Sequence, residues 1–151
     1  MAELRFTHID DLKWQEVRAL EDGAGRRLAA REKFLEFSEA RMSLYAEWDP
    51  GMIVHRHGHN SEQIVFVIDG SVEIDGRECG PGTFMVLEQG ATMGPMIAGP
   101  RGVRMFESYD GDPRSWPADP AEHERLLAER GLTAAPLAPI DMIDAFPDAR
   151  T

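Results

Sequence analysis

The chain has 151 residues, 27 of them acidic and 16 basic, for a formal net charge of −11. That length suits one domain with its own core, and a mixture of 42% hydrophobic and 28% charged residues is globular, which excludes a disordered chain. The acidic balance argues against nucleic acid or an anionic membrane as partner, and no apolar run reaches the roughly 18–20 residues of a membrane span.

The polar start, MAELRFTHIDDLK, does not read as a signal peptide. The single cysteine, Cys79, excludes an internal disulfide, so the expected location is the cytoplasm. Residues 1–40 are charged and mixed and read as an N-terminal arm with edge strands. Asp22-Gly23-Ala24-Gly25 marks a turn. Leu28, Phe34, Leu35 and Phe37 fit neither a helical nor a strand period.

Residues 41–110 read as β throughout. Met42, Leu44, Ala46 and Trp48 alternate with Arg41, Ser43, Tyr45 and Glu47, the pattern of a half-buried strand. Asp49-Pro50-Gly51 ends it. A strand is expected over Met52–His59 and another over Gln63–Ile68, closed by a turn at Asp69-Gly70. Ser71–Ile74 is expected to pair back and to end in a hairpin turn at Asp75-Gly76. Gly80-Pro81-Gly82 is another turn, and Thr83–Leu87 a short strand. Gly90, Gly94-Pro95 and Gly99-Pro100 punctuate the next stretch, and Val103–Tyr109 is the last clear strand. Short strands with turns roughly every 8–12 residues predict a sandwich or barrel.

Residues 111–151 change texture. Asp119 suits an N-cap, Pro120 the first helical position, and Glu122 a capping box. Gly131 is placed to end the helix, so one is expected over Asp119–Arg130. Leu126 and Leu127 would dock it, His123 would be on its surface, and the Ala-, Pro- and Asp-rich tail would be irregular.

Chemistry is concentrated in one place. Of five histidines, His55, His57 and His59 stand at alternate positions. On a strand such residues share a face at a spacing of roughly 6.7 Å, so two neighbours can converge on one ion. The outer two lie roughly 13 Å apart and cannot join them without a bend. The plain alternative is a solvated strand end.

The residues around the histidines narrow this. Gly51, His57, His59, Gln63 and Gly70 follow the spacing G-x5-H-x-H-x3-Q-x6-G, which resembles the first motif of the cupin family, with Gln63 where that family usually has Glu. A rival register through His55, His57 and Glu62 misplaces both glycines. The family's second motif can be laid on Gly82, Glu88, Gly90, Met93 and Ile97. It keeps the glycines, but Met93 stands where a metal-binding histidine is usual.

The resemblance, over residues 41–108, implies an all-β fold: a double-stranded β-helix, or jelly-roll barrel, with a short C-terminal helix. It also implies a homodimer, and a divalent transition metal (Zn, Ni, Fe or Mn) on His57, His59 and Gln63. His55 is either a further ligand or a residue that orients one. Val65, Val67, Met85, Met93, Met105 and Glu107 are expected to line the pocket, with Glu107 also a spare ligand. The expected function is an enzyme acting on a small apolar carbonyl or phenolic compound by Lewis-acid chemistry, of the cyclase, isomerase or lyase type. The alternatives are an iron-dependent dioxygenase and a non-catalytic small-molecule-binding module. Cys79 is expected to be structural, and Trp14, Trp48 and Trp116 to be core or interface anchors.

Overall fold

The computed structural model describes residues 1–140. The expectation of an irregular tail lies outside that range for residues 141–151. A 3-10 turn at Ile9–Asp11 leads into β1 (Gln15–Asp22), β2 (Arg27–Phe37) and β3 (Met42–Trp48). Then come β4 (Ile53–Val54), β5 (His57–His59), β6 (Gln63–Ile74), β7 (Arg77–Cys79), β8 (Phe84–Leu87) and β9 (Met96–Tyr109). The chain continues through β10 (Ser115–Pro117), helix α1 (Pro120–Glu129) and β11 (Leu132–Ala134).

Every strand pairing is antiparallel. The main sheet has nine strands along the path β11-β1-β2-β3-β9-β6-β7, with β4 on β9 and β8 on β6. β5 and β10 form a separate two-stranded sheet. The result is an all-β jelly roll with one short helix.

The alternation in β3 has its expected result: Met42, Leu44, Ala46 and Trp48 are buried. They join Val65, Val67, Val72, Val103 and Met105 in one core. Leu44, Ala46, Val67, Val72 and Met105 are fully shielded from solvent. Across β6 the same period points Phe66 and Ile68 outward, where with Phe84 and Val86 of β8 they are exposed.

Four expectations need correction. β2 is not an edge strand; it lies between β1 and β3 with a register shift near Phe34, which is why its apolar period looks broken. Asp69-Gly70 is not a turn. β6 runs straight through it against β9, with register shifts on either side. Gly70, at φ +70°, permits this because a Cβ there would strike the Gly102 carbonyl. β9 likewise runs through Gly99-Pro100. Third, Met52–His59 is two strands, broken at His55-Arg56. Fourth, the tail is not irregular at its start, because β11 pairs with β1.

The hairpin at Asp75-Gly76 forms as expected, with both residues at positive φ, joining β6 to β7. The helix also forms, and Asp119 accepts a hydrogen bond from Glu122 N at 3.0 Å. The capping box closes on one side only, because the Glu122 carboxylate is drawn to Arg56 at 3.2 Å.

Candidate functional site

β5 brings His57 and His59 into one buried face, each 5% exposed. Gly58 between them is required by contact: a Cβ there would lie 2.6 Å from the Ala91 carbonyl oxygen and overlap the Trp116 ring. β10 pairs Trp116 with Gly58 and Ser115 with His59, so the indole fixes the histidine strand from one side.

Both imidazoles are held by backbone carbonyls. His57 Nδ1 lies 2.7 Å from the His55 carbonyl oxygen, and His59 Nδ1 lies 2.8 Å from that of Pro113. A carbonyl only accepts, so each Nδ1 carries the proton and each Nε2 keeps its lone pair. The rings are 4.9 Å apart at their centroids. His59 Nε2 is buried and has no hydrogen-bond partner among the described residues. Burial, then the neighbouring His59, lowers the His57 pKa to about 3. Burial lowers that of His59 to about 4 against the opposing pull of the Pro113 carbonyl. Both rings are therefore neutral, the state in which imidazole binds a metal.

These two histidines open on a cavity of about 70 Å3. Its wall includes Val17, Arg18, Glu32, Phe34, Met93, Met96, Glu107 and Tyr109. Gln63 is 1% exposed and stands behind this wall. Its Nε2 donates to Glu107 Oε1 and to the Tyr109 hydroxyl, both at 2.8 Å, leaving its buried Oε1 unpartnered. Glu62, the acid of the rival register, is exposed. Burial raises the Glu107 pKa to about 7, with Arg18 and the Gln63 bond opposing. It raises that of Glu32 to about 8, helped by the Glu107 charge.

Of the expected pocket residues, Met93 and Glu107 are on the cavity wall. Met93 lies across from His57, their backbones joined by two hydrogen bonds of 3.0 and 2.9 Å. Val65, Val67 and Met105 instead fill the core, and Met85 packs against it, because the inward faces of β6 and β9 point to the sheet's interior. His55 turns its ring to His57 and His123, with centroids 5.2 and 5.6 Å away, and its carbonyl holds His57. His123 is half-buried there, not on the surface.

Arg18, Glu32 and Tyr109 carried no signal in the sequence. They come from β1, β2 and the end of β9, and only sheet pairing gathers them. Alternation alone gave no reason to separate Arg18 and Glu32 from the many other charges of β1 and β2.

Among the described residues no three His, Cys, Asp or Glu side chains are grouped to enclose a metal. The two-imidazole arrangement nevertheless fits an open metal site. Both donors are neutral, oriented by carbonyls, and face a cavity, and one is a buried nitrogen with no partner among the described residues.

An antiparallel jelly roll with an inward histidine pair defines the cupin class. The family model described as the ChrR cupin-like domain matches residues 3–109, and the chain belongs to that family. Among solved structures it is similar to the polyketide cyclase RemF from Streptomyces resistomycificus. That match has a TM-score of 0.63 at 20% identity and covers 82% of this chain and 94% of that one. It is also similar to a candidate acetylacetone dioxygenase from Methylibium petroleiphilum PM1, at TM-score 0.63, 13% identity, and 80% and 84% coverage. The anti-sigma factor ChrR of Rhodobacter sphaeroides, in complex with SigE, matches at TM-score 0.51 and 19% identity. There 68% of this chain covers 52% of that one. At these identities the likeness shows the fold alone. No protein of curated function matches. No helix among the described residues is long and apolar enough to cross a membrane.

Proposed function

We propose that this cupin binds a divalent transition metal (Zn2+, Ni2+, Fe2+ or Mn2+) through His57 and His59, and acts on a small carbonyl or phenolic compound. The observation that carries this is the pair of neutral, carbonyl-oriented imidazoles facing a cavity, with His59 Nε2 buried and unpartnered. When bound, the metal would supply Lewis acidity. The chain's own residues supply the rest. Glu107, with a pKa of about 7, is matched to take or give a proton near neutral pH. Gln63 holds that carboxyl in place beside the Tyr109 hydroxyl, acting as a positioning residue. Apolar wall residues such as Val17, Phe34 and Met96 accept the carbon skeleton.

Metal analysis of protein purified without chelator tests the reading. About one equivalent in the native chain, lost in His57→Ala, supports it. Less than about a tenth of an equivalent, with no uptake on loading, overturns it. Oxygen consumption by the iron form with a small diketone would point to the dioxygenase alternative. Retained metal without turnover would point to a binding module.

A further inference from the structure

The main-sheet wall of the cavity contains a cation with no direct partner among the described residues. Arg18, on β1, lines the same cavity as His57 and His59. No described residue gives its guanidinium a hydrogen bond or an ion pair. Glu32, Glu107 and Tyr109 act on it only through longer-range charge. Two arginines of the neighbouring strand β2 are paired instead: Arg31 with Asp49 at 2.7 Å, and Arg27 with Glu16 at 3.0 Å. A guanidinium held in a partly apolar cavity with no group in direct contact is costly, unless a ligand supplies one.

We propose that Arg18 is the anion-binding residue of this cavity, and that the carbonyl compound taken there is a small oxo acid held by its carboxylate. As a binding site this stands on the cavity alone; as the anchor of a substrate it rests on the metal reading above. The planar fork of arginine matches the two oxygens of a carboxylate. A phosphate asks for more donors than one arginine, whereas a carboxylate is satisfied by the fork; the wall's other donors are the Trp48 indole N–H and the Tyr109 and Ser115 hydroxyls. Burial disfavours the charged form of both acids on the wall, so they repel an incoming anion less than free carboxylates would. Burial raises both pKa values, to about 8 for Glu32 and about 7 for Glu107. In its protonated form, which burial favours, Glu32 can donate a hydrogen bond to a bound carboxylate. The cavity, about 70 Å3, suits a small occupant.

The test compares two compounds of nearly the same shape, acetoacetate and acetylacetone, which differ in carrying a carboxylate or an acetyl group. Each is titrated into the chelator-treated full chain at neutral pH and fixed ionic strength. Acetoacetate should bind about tenfold or more tighter than acetylacetone, as for a charge-assisted bidentate contact. Arg18→Gln should abolish that preference while changing acetylacetone affinity by no more than about twofold. Arg18→Lys should fall between, because it keeps the charge and loses the fork. In the wild-type chain the Arg18 Nε–H resonance should shift with acetoacetate and not with acetylacetone, a readout that needs no variant to fold. Equal affinity for the two compounds, an unmoved resonance, or undiminished acetoacetate binding to Arg18→Gln would overturn the proposal. Inorganic phosphate displacing acetoacetate at equal concentration would overturn the carboxylate assignment. No metal takes part in this titration, so its failure and the failure of metal retention by His57 and His59 are separate results.

Discussion

The two-stranded sheet and the main sheet meet at one cavity and present different chemistry to it. β5 contributes imidazoles locked by backbone carbonyls, whose lone pairs are available at once. β1, β2 and β9 contribute Arg18, Glu32 and Glu107, whose charge states are set by burial and by one another. One wall is fixed by local geometry and the other by mutual electrostatics. A change in β5 should therefore alter metal binding directly, whereas a change of the main-sheet acids should appear as altered pH dependence.

The largest expected effect is on the β5 wall. His57→Ala should lower metal affinity by more than about a hundredfold, since even the partners that orient a ligand are worth about 10–100-fold. Equilibrium dialysis against zinc, with circular dichroism to check the fold, measures this. Next comes Gly58→Ala, which places a methyl group against Trp116 and the Ala91 carbonyl. We expect a loss of about 1–3 kcal/mol in denaturant unfolding, with weaker metal binding, as β5 and β10 move apart. Unchanged stability would show that Trp116 does not fix the histidine strand.

Met93→His adds an imidazole beside the existing pair. Met93 bridges His57 and is on the cavity wall, so metal affinity should rise by about tenfold, judged by competition with a chelator. No change would mean that this side chain faces away from the ion.

The smallest effect belongs to the main-sheet wall. Glu32 has a pKa of about 8 in the fold against an ordinary 4.5. Because the folded value is raised, its contribution to stability is complete below the ordinary value and is lost as pH rises through about 8. Glu32→Gln removes that dependence. The melting temperature of wild type relative to the variant should fall as pH rises across this window. A flat difference would mean that Glu32 titrates normally and the main-sheet wall is not electrostatically coupled.

Much of the barrel was legible in local pattern. The strict alternation of β3, the Asp75-Gly76 hairpin and the Asp119 cap each express a short-range preference that the fold does not override. The breaks misread at Asp69-Gly70 and Gly99-Pro100 show where this fails. Glycine and proline there serve the bulged crossing of two long strands, and a bulge is defined by its partner strand, not by its own residues. The site divides in the same way. His57, His59 and Gln63 lie within seven residues of one another, so the resemblance of that stretch to a cupin motif could single them out.

The order of residues by itself determined the all-β class, the helix and its start, and the placing of His57 and His59 together on one strand. Each depends on side-chain period or backbone preference over a few positions. Tertiary structure decided what those histidines face. It turned His55 toward His123, moved Gln63 behind Glu107, sent Val65, Val67 and Met105 into the core, and placed Arg18 and Glu32 on the cavity wall. The physical reason is that burial and charge coupling act through space. Arg18 and Glu107 are distant in the chain, and only the closing of the barrel puts each within the other's field.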